Sequence, residues 1–253
     1  MPMAVVKGSL KYCLENKPFF LFVFIVFFSL EYVLDIFFYP VYGVGMWIFF
    51  ILIMGYGLQI IEDVINGGTR LPKIMPKKVV VLGLKGAVIN LFYILIQFAL
   101  LSIVAVNLNF PIFELEELFL DFDNTLTLMF THDVVSFTIF MVSGFVISYV
   151  ATFFMELSLA RLADGGQLRK SFNFPKIKHA IDIIGWKNYT IGYTKIILVV
   201  VAFSYINRLF DPVLGLNVIV GAISIFVSFI VEYRGMGMVY KVYTDNRNKA
   251  NLN

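Results

Sequence analysis

Solvating side chains are scarce in this chain. Only 15% of its 253 residues are charged, whereas a soluble domain of ordinary makeup carries about 25%. A single cysteine, Cys13, excludes an intramolecular disulfide and leaves the redox compartment open. The two histidines, His132 and His179, fall in loops expected on opposite faces of a membrane, which excludes a His-based metal site within one chain. There is no H-E-x-x-H, no glycine-rich phosphate loop ending in Lys-Ser/Thr and no nucleophile elbow. Zinc-protease, nucleotide-hydrolysing and serine-hydrolase chemistries thus lack their residues, and no cofactor is expected.

Apolar residues take the vacated share. They make up 60% of the chain, with 28 Phe, 13 Tyr and a mean hydropathy of +0.86. That aromatic surface exceeds what one soluble core of this length hides, and lipid accommodates it. A hydrocarbon core ~30 Å thick takes about 20 helical residues to cross. The apolar runs are continuous rather than alternating, which selects helices over a barrel. Six spans are expected: Pro18–Phe38, Val41–Val64, Val79–Val106, Val134–Leu159, Thr190–Leu209 and Val213–Tyr240. The first run is longer than a signal-peptide core of ~7–15 residues and lacks a small-residue cleavage site, so it reads as an uncleaved span. With the N-terminus inside, eighteen of the 20 Lys and Arg residues fall on one side; Lys195 lies within a span and Arg208 at an outer end. The positive-inside rule then places both termini in the cytoplasm and the protein in the cell membrane. Anionic lipid headgroups account for the basic loops, so nucleic acid is not an expected partner.

LFLDFDNTLT, at 118–127, resembles the first motif of the haloacid dehalogenase superfamily, where one Asp attacks phosphorus and a second acts as acid/base. Asp121 and Asp123 occupy those positions. That chemistry also needs a parallel sheet and downstream Ser/Thr, Lys and acidic motifs, for which the short loop before span four has no room. The match reads as chance and the protein as a non-enzyme. Pro111 after an Asn109 cap, followed by Leu115, Leu118, Phe119 and Phe122 opposite Glu114, Glu116, Glu117 and Asp121, predicts an amphipathic helix in the outer interface.

A repeat is visible in the segments that enter the spans. PMAVVKGSLK (2–11), PKKVVVLGLK (76–85) and PKIKHAIDIIGWK (175–187) each begin with Pro and end in Gly shortly before Lys. The returning spans end in EDVINGG (62–68), ARLADGG (160–166) and, more loosely, VYTDN (242–246). Gly67–Gly68 and Gly165–Gly166 suit helix C-termini. The expected fold is a single all-α integral membrane domain over 1–253, a polytopic bundle of six helices in three tandem parallel hairpins. These cover approximately 2–68, 76–166 with an acidic outer insert at 107–133, and 175–246. Within 175–187, Ile177, Ile181 and Ile184 make one apolar stripe, as an interfacial helix requires.

G-Y-G-L-Q-I-I-E-D-V-I-N-G-G-T-R-L-P (55–72) with G-L-K (83–85) resembles the first signature of the polytopic membrane family Domain of Unknown Function 4013, seen largely in archaea, and A-R-L-A-D-G-G-Q-L-R-K-S-F-N-F (160–174) resembles its second. The resemblance implies a six-span or similar membrane protein and supplies no catalytic residue.

Ionisable residues inside spans are costly and often functional. At ~1.5 Å per residue, Glu156, Lys195 and Glu232 lie about 12 Å in from the inner ends of their expected helices, with Gln59 at similar depth and Arg234 nearer the surface. A Lys between carboxylates forms a packing ion pair, a proton relay or an anion-binding point. Asp35 and Arg208 are expected to pair near the outer surface, with Glu31 deeper on the same face as Asp35. The function expected is binding or transport of a small or amphipathic solute. The alternative is a non-catalytic scaffold for other membrane proteins, acting through glycine-lined faces and the acidic outer helix.

Overall fold

The computed structural model describes residues 8–9, 11–12, 42–108, 134–209 and 216–250. Among these it is all-helical, with seven helices: α1 (Tyr42–Ile65), α2 (Pro76–Asn107), α3 (Val134–Gly165), α4 (Leu168–Ser171), α5 (Phe174–Ile184), α6 (Trp186–Leu209) and α7 (Leu216–Ala250). Four carry a stretch long and apolar enough to cross a membrane: Trp47–Ile65, Pro76–Asn107, Val134–Gly165 and Ile223–Arg247. These four fall within four of the six expected spans or extend them. Pro18–Phe38 lies outside the described residues, as do Glu31, Asp35 and the acidic segment 112–123. The fifth span forms α6, whose first turns carry Thr190, Thr194 and Lys195. Expected and observed starts agree within four residues for the described spans, but α3 and α7 run well past the expected ends.

The chain divides into two units, 1–89 with 156–253 and 90–155. The second unit holds the later turns of α2 and the earlier turns of α3. Its small core is Ala105 and Phe140, packed by Leu101, Val104 and Leu108. Phe145 (74% exposed), Val135 and Leu95 point away from it. Hydrocarbon, rather than water, suits such a surface.

The first unit holds most of the core. α1 and α2 meet backbone to backbone, because a Cβ on Gly55 would collide with the carbonyl of Val79 and one on Gly83 with that of Ile51. These contacts run antiparallel. α1 and α7 run parallel: the Tyr233 ring fills the space over Gly57, and Gly237 lies against Ile61 and Val64. α6 lies antiparallel to α7, with Gly192 facing Val239 and Gly235 facing Ile196. Small residues permit this approach where no hydrophobic force separates lipid from protein. The glycine-lined faces are thus occupied by neighbours within the chain.

α5 follows the expected pattern in sequence but packs differently. Asn173 caps it by accepting from the Lys176 N–H at 3.1 Å, and Gly185, at φ 89°, ends it. Ile177, Ile181 and Ile184 are buried, on a helix that packs against α6 and α7. The stripe therefore faces protein, not lipid. The turn after α1 uses Gly67 at φ 88° and that after α3 uses Gly166 at φ 63°, a left-handed backbone that costs glycine little.

Candidate functional site

The structure brings Glu156 of α3 and Glu232 of α7 close enough together for their carboxyl groups to interact electrostatically. Glu156 is 5% exposed, and its Oε2 has no hydrogen-bond partner. Glu232 is partly buried. The neighbouring residue Tyr233, missed in the sequence, interacts electrostatically with both acids, and its hydroxyl reaches Met54 Sδ at 3.3 Å. Phe229 lies 4.8 Å from the Tyr233 ring and stacks on Tyr56 at 6.4 Å.

Gln59 and Arg234, also expected in the layer, engage other partners. Gln59 turns to the connection after α1, its Nε2 donating to the Lys73 carbonyl at 2.6 Å. Tyr56 does the same for Pro72 at 3.2 Å. Arg234 turns to the N-terminal segment, with its guanidinium 5.2 Å from the Tyr12 ring and Nη1 donating to Ser9 Oγ at 3.4 Å. Tyr12 in turn donates to Asp63 Oδ2 at 2.8 Å. Lys195 lies on α6 beside Ile196, within about one turn of Glu232 on the α6–α7 seam. Asp35 is outside the described residues, and so is the side chain of Arg208.

α7 continues past Glu232 to Ala250. The contacts of α1 with α2 and with α7 put Glu232 within about one turn of the level at which α2 begins, with Pro76, Lys77 and Lys78. Lys78 reaches along α1 to Glu62 Oε1 at 2.6 Å.

The signature residues have identifiable tasks. Gly55, Gly57 and Gly83 set helix contacts, Gln59 and Tyr56 hold the returning loop, and Gly68 leaves room for the Asp63 carboxylate. In the second signature, Asp164 accepts from Arg247 Nη1 at 3.0 Å and from the Tyr240 hydroxyl at 3.3 Å. Lys85 of G-L-K donates to the carbonyl of Gly166, joining the two signatures. Asp63 and Asp164 were visible in the repeated span ends, where only the glycines were assigned a task.

Four apolar helices of membrane-spanning length, with the buried acid Glu156 among them, mark a helical membrane protein. The family described as "Protein of unknown function (DUF4013)" matches residues 38–239, and the chain belongs to it. No curated protein and no solved structure matches.

Proposed function

We propose that this is a six-span protein of the cell membrane, built from three tandem parallel hairpins with both termini in the cytoplasm, that binds and moves a small or amphipathic solute. The carrying observation is the Glu156–Glu232 pair: two acids brought together among apolar helices, one of them with a buried oxygen that has no hydrogen-bond partner. Intramembrane acids are retained where a pathway needs them. In this reading a proton shared by the two acids is the exchangeable element, and Lys195, expected as their counter-charge, lies on α6, the helix packed against α7. The level of Glu232 near the start of α2 favours access from the basic, cytoplasmic side.

The test is uptake by purified protein in sealed vesicles, screened over small organic ions and amphipathic solutes. Glu156→Gln, Glu232→Gln and Lys195→Ala are each expected to abolish uptake while the protein remains inserted and monodisperse. Uptake at wild-type rates in all three variants would overturn the assignment.

A further inference from the structure

The connection between α1 and α2 is held by buried side chains. Tyr56 and Gln59 bind the carbonyls of Pro72 and Lys73, and Leu71 is 2% exposed. Together they fold the chain back along α1, from Gly67 at its end to the level of Gln59. The next residues are thereby turned outward. Ile74 and Met75 are 37% and 47% exposed, adjoining the exposed Val80, Val81 and Leu84 of α2. Arg70, Lys73 and Lys77 flank that apolar pair and are themselves exposed. The first turn of α2 holds no acidic residue, so the positive end of its dipole adds to the three cations. Glu62, the carboxylate nearest in sequence to this connection apart from Asp63, is engaged by Lys78, and Asp63 accepts from Tyr12.

An apolar pair pinned outward among cations, where a lipid-facing helix begins, has the two-part chemistry of a phospholipid. Acyl chain suits Ile74 and Met75, and phosphate suits the cations. We infer that residues 70–77 form a positioned binding site for the headgroup of an anionic phospholipid. This is separate from the diffuse attraction that any basic membrane face exerts. It is also independent of the solute pathway, because neither Glu156 nor Glu232 takes part.

Full-length protein in neutral detergent is titrated with phosphatidylglycerol or phosphatidylcholine, and bound lipid is counted by native mass spectrometry. Phosphatidylglycerol is expected to be retained and phosphatidylcholine to wash out. Replacing Arg70, Lys73 and Lys77 together by Gln should weaken retention by roughly a hundredfold. Replacing Lys176, Lys178 and Lys187 by Gln removes the same charge from other exposed positions and should change it little. Gln59→Ala removes no charge yet should also weaken retention, because the loop loses its anchor. If that variant unfolds, Ile74→Ser with Met75→Ser replaces it and should weaken lipid retention likewise. Equal losses in the two charge variants would reduce the site to diffuse attraction and overturn the inference. Equal retention of phosphatidylcholine would overturn it as well, as would displacement of the lipid by inorganic phosphate at matching concentration.

Discussion

At the scale of single residues, glycines carry unusual weight, and for different reasons. Gly55 is closed by backbone: an added methyl would meet the Val79 carbonyl, which has no side-chain freedom with which to retreat. Gly55→Ala is expected to lower stability by about 1–3 kcal/mol, read from the unfolding midpoint in detergent. Gly165 has nothing within 4 Å of the corresponding position, so Gly165→Ala should stay within about 0.5 kcal/mol of wild type. A similar loss in both variants would refute the α1–α2 interlock. Tyr12 offers a pH test outside the spans. Burial, then the bond to Asp63, pushes its phenol well above the ordinary value. A raised folded value means that the docked segment's contribution is fully present below the free tyrosine value of about 10 and declines as pH rises beyond it. Proteolysis within the N-terminal segment should therefore increase at alkaline pH. Tyr12→Phe should lose this pH dependence while cleaving somewhat faster at neutral pH, and an unchanged profile would contradict the docking.

At the scale of elements, α5 shows what a sequence can and cannot disclose. The Ile177–Ile181–Ile184 spacing announces a helix with one apolar face, because 3.6 residues per turn brings those positions together. Nothing in that spacing says whether lipid or protein covers the face. The answer rests on α6 and α7, which return to it from later in the chain. The same limit applies to the site. Glu156 and Glu232 stood out as acids in apolar runs, but their proximity depends on α3 meeting α7. Gln59 was grouped with them by depth alone, and its partner Lys73 became reachable only because the intervening loop folds back. Periodicity is local, whereas these contacts are not. The N-cap of α5 is a local feature open to test: Asn173→Ala should cost about 1 kcal/mol, seen as faster amide exchange across 174–184. Unaltered exchange there would mean that burial alone holds the helix.

At the scale of the whole molecule, composition located the protein better than any motif did. Scarce charge and long apolar runs suit lipid around much of α2 and α3, while the partly buried polar contacts of Tyr12, Asp63, Asp164 and Arg247 lie where basic residues are concentrated. In the proposed topology that end faces the cytoplasm, so a tag after Asn253 should be unreachable from outside intact cells. Labelling of that tag from outside would reverse the orientation. The central claim concerns Glu156 and Glu232, two acids brought together among apolar helices, and infrared difference spectroscopy in lipid at neutral pH examines it directly. The account predicts a carboxylic-acid carbonyl band in the wild type that Glu156→Gln and Glu232→Gln each shift or remove. A spectrum with no such band, or one that both substitutions leave unchanged, would show that the pair holds no shared proton.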